Sequence, residues 1–369
     1  MTSRIKSPRH RSRVPTASPI RRPTLPSYWT RGAGEPRATS IGPVQHTPTY
    51  AKVAQSGLTV SRLESVLADW FEAEVVLTSS GRSAILLYLS VAGLNRYEHR
   101  VAIPRTVSAC VLDAIIRRAF PVDAASAQNV DLTILYHQYG IPQQFRAETH
   151  TLEDICHAFF ASECTGARSW AGPAAVFSLP KFFQTSSMIG GIVTRDRSLA
   201  DRIRGVRVEA PELPKETRSQ HAKCLQRNTG GSDLEEVYLA RLLNPRIEDD
   251  EIAGAPSSIE EIKHIAGKRR QNLERLLAAV RTSAVGAEWP SLLLSALSFA
   301  CPVFGDPVQL AETSARLKSA GIVAGLYRID RARNMAKPDY QTAVLLPCHH
   351  AIPEHKIDEM GDVLRTTLR

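Results

Sequence analysis

Lys181 stands between two apolar walls: the run Ala174–Leu179 leads into it, and Phe182 and Phe183 follow. An ammonium placed this way is partly desolvated, which lowers its pKa and makes it a nucleophile. A strand-end lysine that snorkels to water would have the same neighbours. Upstream, Thr151, Leu152, Glu153 and Asp154 close a short apolar segment with two acids, which reads as a carboxylate at the end of a strand. A carboxylate buried there requires a cationic partner. Further upstream, Val75–Leu89 passes from strand-like residues through Ser79, Ser80, Gly81, Arg82 and Ser83 into a helix-like run. Such a turn leaves backbone N–H groups at a helix start pointing at an anion, most naturally a phosphate. Phosphate cradle, strand-end carboxylate and desolvated lysine, in that chain order, are the parts needed to hold pyridoxal phosphate.

The elements that must position these groups alternate along the chain. Leu63–Phe71 reads as a helix, Val75–Thr78 as a strand and Ala84–Leu94 as a helix. Arg100–Ile103, Leu132–Tyr136, Leu152–Asp154, Ala174–Leu179 and Gly191–Thr194 read as short strands, with Val111–Ala119 and Leu199–Arg204 helical. This alternation predicts an α/β fold, a mostly parallel sheet covered by helices on both faces. Ligands of such sheets sit at the carboxyl ends of the strands, where Ser80, Asp154 and Lys181 all fall. Pro211–Pro256 is polar and punctuated, and reads as a long irregular excursion with one helix, Asp233–Leu243, suited to closing over a substrate. From Ser258 a helix runs through Leu277 into a smaller C-terminal α/β domain, with strands at Leu292–Val303 and Ala343–Leu346 and a helix at Val308–Ala320. The expected division is therefore an arm over residues 1–50, a large domain over 51–256 and a small one over 257–369.

The arm stands apart in charge. Nine bases (Arg4, Lys6, Arg9, Arg11, Arg13, Arg21, Arg22, Arg31 and Arg37) face one acid, Glu35, so nine minus one, or eight, of the chain's formal +9 lies here. With eight prolines and few apolar residues it reads as largely disordered. It has no apolar h-region of a secretory signal. A transit peptide, a contact with nucleic acid or anionic lipid, and a quiet extension all fit such an arm, the last being the simplest. The remainder, in a chain 43% apolar and 22% charged, can bury a sizeable core. Six cysteines at irregular spacing, with no Cys-x-x-Cys, argue against a disulfide framework and a zinc site, so a reducing cytoplasm is the simplest compartment. No apolar run is long enough to span a bilayer.

From about Leu58 onward the chain resembles the DegT/StrS-type sugar aminotransferases, pyridoxal-phosphate enzymes of the aspartate-aminotransferase (type I) fold. Segments along the chain carry the likeness in order. Arg62–Phe71 with Leu77–Ile85 is similar to the family's opening helix and phosphate turn. Ile103-Pro104 with Val111–Ile115 is similar to its next strand-to-helix step. Leu135–Gly140 is similar to its His-x-Tyr-Gly segment and Leu152–Asp154 to its Glu-Asp pair. Phe177–Lys181 with Gly190-Gly191 is similar to the lysine loop. Lys268–Leu276 and Leu346–Ile352 are similar to its small-domain helix and closing strand.

The resemblance implies a homodimeric aminotransferase that moves an amino group from glutamate to a keto sugar, nucleotide-linked in this reading. Lys181 would form the aldimine with pyridoxal phosphate and move the proton, and Asp154 would pair with the pyridinium nitrogen. Ser80, Gly81, Arg82 and Ser83 would cradle the phosphate, with a hydroxyl added by Ser178. His157 would lie where the family has glutamine or histidine near the phenolic oxygen. For Ser178, His157 and His137 a core or capping role is the competing reading. The chain departs from the pattern twice: Arg105–Ser108 holds no aromatic to stack on the ring, and the family's Asn-Tyr-Arg segment is not restored by Ala222–Gly231. A non-catalytic relative that keeps the fold and binds a ligand or an anionic polymer is the alternative, against which Lys181 and Asp154 both stand.

Overall fold

Short apolar strands assemble into two sheets, as a computed structural model of the chain shows for residues 50, 53, 57–144, 150–161, 170, 172–227, 232–280, 285–286 and 288–368. The arm expected over residues 1–50 lies outside these, Tyr50 excepted. Among the described residues seven strands form the larger sheet, in the order β1-β7-β6-β5-β4-β2-β3. They are β1 (Glu74–Thr78), β2 (Arg100–Ile103), β3 (Phe120–Asp123), β4 (Leu132–Tyr136), β5 (Thr151–Asp154), β6 (Ala174–Ser178) and β7 (Gly190–Thr194). β7 runs antiparallel to both β1 and β6, and every other pairing is parallel. The carboxyl ends of β1, β2, β4, β5 and β6 therefore share one edge.

Strand alternation sends neighbouring residues to opposite faces. Val76, Val176 and Ile192 pack under α2 (Gly81–Val91), α3 (Ala109–Ile116) and α4 (Arg197–Glu209). Val75, Leu77, Phe177 and Val193 pack on the other side with α1 (Val60–Phe71) and with Phe159, Phe160 and Phe182. Each of those three fully buried rings contributes about 1.5–3 kcal/mol of burial. α1 starts where Thr59 accepts the Arg62 N–H, and it ends where Glu72 turns left-handed at φ 51°.

Several expectations are corrected. β3 contains Pro121, which fits only an edge strand, and its half-exposed residues give no apolar run to read. The excursion over 211–256 holds two helices, α5 (Lys215–Arg227) and α6 (Ser232–Leu243). α5 was hidden because polar residues dominate it and only Leu225 is buried. Leu292–Val303 divides into a helix, α8 (Trp289–Ala296), and a strand, β8 (Ala300–Phe304). Leucine runs of this length suit either element; here a proline in the first turn starts the helix and Leu297, left-handed at φ 42°, stops it. α7 (Ile259–Ala279), α9 (Pro307–Ser319) and α10 (Glu354–Thr367) surround a second sheet of order β8-β10-β9, with β9 (Leu326–Asp330) unforeseen and β10 spanning Tyr340–Pro347.

Gly190 pairs with Thr78 on β1 and with Ser178 on β6. A β-carbon there would collide with the Gly81 nitrogen and the Ser80 carbonyl carbon, both backbone. Gly190→Ala is therefore expected to destabilise the protein by about 1–3 kcal/mol and to push the start of α2 away from the sheet; a denaturant midpoint equal to that of the unaltered protein would refute this packing.

Candidate functional site

Strand ends converge on three structures. The first is the turn between β1 and α2. Ser80 caps α2: its side chain accepts the Ser83 N–H at 3.1 Å while Ser83 Oγ accepts the Ser80 N–H at 3.0 Å. Gly81 and Arg82 are then the first two residues of the helix, and their N–H groups have no intrahelical acceptor. The Arg82 side chain does not bend over this turn; its guanidinium lies 4.4 Å from the centre of the Tyr238 ring on α6. Behind the turn, Ser79 Oγ lies 2.7 Å from the Arg241 carbonyl oxygen and 2.6 Å from that of Asn244, which fixes the end of α6 against it.

The second is the end of β5, where alternation separates two acids. Glu153 faces His137: the imidazole Nδ1 accepts the Gln143 N–H at 3.2 Å, so Nε2 carries the proton directed at Glu153 Oε2, 3.0 Å away. Asp154 faces the other way and is buried. Its Oδ1 accepts the Cys156 N–H at 2.9 Å, while Oδ2 has no hydrogen-bond partner among the described residues. Burial pushes the Asp154 carboxyl above its ordinary range, against the pull of the Cys156 N–H, the Cys156 thiol and the charge of Lys181.

The third is the turn after β6, Leu179–Lys181, which leaves Lys181 half-buried. Lys181 Nζ lies 2.7 Å from His157 Nε2 and 5.8 Å from the centre of the Phe299 ring. His157 stacks on Tyr139, with centroids 5.6 Å apart and planes 10° apart, and meets Phe299 at 4.5 Å. Ser178, at the end of β6, brings its β-carbon within 3.4 Å of where a Gly81 β-carbon would lie, and Cys156 Sγ would be 2.9 Å from it. Gly81 thus ties the helix start to the ends of β5 and β6. Tyr139 and Phe299 were not singled out as functional from the sequence. Phe299 precedes a strand of the second sheet, and nothing in its own segment points to a distant lysine.

Comparisons with known proteins follow this geometry. Residues 68–234 match a protein-family model described as "Putative PLP-dependent aminotransferase". No curated protein sequence matches the chain. Among solved structures, DesI, crystallised in the presence of its TDP-sugar product, superposes with a TM-score of 0.60 at 16% identity, covering 90% of this chain and 94% of that one. The fold is that of the sugar aminotransferases. CalS13 from Micromonospora echinospora, a sugar aminotransferase, gives 0.55 at 16% identity over 85% of this chain and 93% of its own. A DegT DnrJ EryC1 StrS aminotransferase from Brucella abortus gives 0.58 at 15% identity over 83% and 89%.

The raised Asp154 carboxyl carries a sign for stability. A carboxyl whose folded pKa lies above its unfolded value adds stability below the unfolded pKa, and this is lost as pH rises through the folded one. Above its folded pKa the ionised, half-satisfied Asp154 therefore destabilises protein stripped of small ligands. Asp154→Asn is expected to raise the stability of that stripped protein by about 1–3 kcal/mol at pH 8, with the gain shrinking in acid. Thermal melts at both ends of the range check this, and an asparagine variant that melts lower throughout contradicts it.

Proposed function

We propose that the chain is a pyridoxal-phosphate-dependent aminotransferase, with glutamate as donor and a keto sugar, nucleotide-linked, as acceptor. The observation that carries the reading is Asp154: a buried carboxylate with one oxygen unpartnered among the described residues, within electrostatic reach of Lys181 at the same sheet edge. A protonated ring nitrogen is the donor that such an oxygen lacks. The residues fit the cofactor, which when bound supplies an electron sink for the carbon that changes its amino group.

The chain's own residues divide the remaining work. Asp154 holds the ring-nitrogen proton in place, and its burial strengthens that pairing. The N–H groups of Gly81 and Arg82, at the positive end of α2, hold the phosphate with the hydroxyls of Ser80, Ser83 and Ser178. Lys181 is the nucleophile and afterwards carries the proton to and from the reacting carbon. His157 stands beside it. Arg82 contributes its backbone, since its side chain is committed to Tyr238. The sugar acceptor is supported by the likeness to CalS13, and the nucleotide by the TDP-sugar product of DesI. A homodimer in the cytoplasm completes the reading. It is consistent with the five unpaired cysteines among the described residues, and no helix among those residues is long and apolar enough to cross a membrane. Under the same proposal residues 51–256 hold the cofactor and residues 257–369 form the smaller domain.

Purified protein mixed with pyridoxal phosphate is expected to develop a visible absorbance band that Lys181→Ala lacks and that glutamate bleaches. If the unaltered protein and the variant give the same spectrum and neither retains the cofactor, the chain is a non-catalytic relative.

A further inference from the structure

The environment of Lys181 and His157 says more than that both lie at one site. Their nitrogens are 2.7 Å apart, a hydrogen-bond distance, so one of the two must donate and the other accept. Two full positive charges cannot share that separation away from water. The pair therefore shares one proton across that hydrogen bond.

The surroundings suit either location of that proton. The Phe299 ring lies 4.5 Å from the imidazole and 5.8 Å from Nζ, so the same aromatic ring meets the positive charge on whichever nitrogen it resides. On the imidazole it gains a second ring, Tyr139, stacked within 10° of parallel. That stack is built at some expense. Tyr139 adopts a left-handed backbone at φ 52°, followed by Gly140 at φ 79°, where any β-carbon would collide with the His157 carbonyl oxygen and the Phe299 nitrogen. The Phe299 N–H donates to the Tyr139 carbonyl at 3.0 Å, closing the clamp.

We propose that His157 is the proton partner of Lys181: Nε2 takes one proton from the Nζ ammonium, leaving a free amine and an imidazolium with the total charge unchanged, and returns it when the amine is next protonated. The inference rests on Lys181 being the nucleophile of the proposed function, although the shared proton is a property of the chain alone. Among the described residues the ionisable groups around the pair include Tyr136 at the end of β4, Tyr139 after it, Asp154 and Cys156 at the end of β5, and Arg269 behind Phe299. Burial holds the Tyr136 phenol and the Cys156 thiol protonated, so neither competes for the proton near neutrality.

The test uses cofactor-free protein and trinitrobenzenesulfonate, which reacts only with a free amine, following the Lys181 peptide by mass spectrometry across pH. In the unaltered protein the rate is expected to level off as pH falls through neutrality, because the free amine forms by transfer within the pair. In His157→Gln, which accepts a hydrogen bond but no proton, it should keep falling about tenfold for each pH unit. Coincident profiles overturn the proposal. A second measurement covers a variant that folds poorly: in Lys181→Met the His157 imidazole, followed by NMR, should titrate about one unit higher or more than in the unaltered protein, and an unmoved titration overturns the proposal equally. Uptake of pyridoxal phosphate by the unaltered protein is scored separately. Uptake with coincident profiles removes the proton pair and leaves the aminotransferase reading, while a level profile without uptake does the reverse.

Discussion

A carboxylate buried against a sheet edge needs every donor it can find, and Asp154 has the Cys156 N–H on one oxygen and no hydrogen-bond partner on the other among the described residues. That constraint orders the rest of the edge. The Cys156 N–H is available to Asp154 because the chain turns sharply after β5, and this turn places His157 toward Lys181. Glu153, one residue earlier, is fully occupied with His137 and the Gly172 N–H on the opposite face. Two adjacent acids thus have opposite fates: one is held on both oxygens by the scaffold, and the other keeps an oxygen without a hydrogen-bond partner among the described residues.

The scaffold meets this demand by close backbone approach. An antiparallel strand, β7, is inserted between β1 and β6, and its first residue lacks a side chain, so the start of α2 can lie directly on the sheet. Helix start, carboxylate and lysine are then held by three separate strand ends rather than by one flexible loop. Fixing groups on rigid elements limits the reorganisation that a bound anion or a moving proton would otherwise require.

Much of this was legible in the sequence. The apolar runs around Val76, Ile134 and Val176 are short and buried, and helix-like segments separate the first two, features that predict a mostly parallel α/β sheet. Lys181 and Asp154 could be singled out because a lone cation and a lone acid pair among apolar residues are conspicuous. Other features left no local trace. α5 packs through little more than Leu225, so its periodicity is weak. The division of Leu292–Val303 into helix and strand depends on a left-handed Leu297 that a reading of apolar runs does not reveal. Phe299 meets Lys181 only because the second sheet folds back onto the first, and Arg82 turns to Tyr238 only because α6 lies beside α2. Such partners belong to tertiary structure and have no signature in spacing.

The join between Ser79 and the end of α6 also bears on when the site comes into being. The serine hydroxyl meets carbonyls 162 and 165 residues further along the chain, and closing a loop of that span is entropically slow relative to forming α2. β1 likewise reaches the sheet through β7, far along the chain, so the helix start waits on its sheet partner as well as on its backing. The join is therefore expected to mature late, after α6 has left the ribosome and docked, so that a nascent or truncated chain would form α2 before the turn ahead of it is fixed.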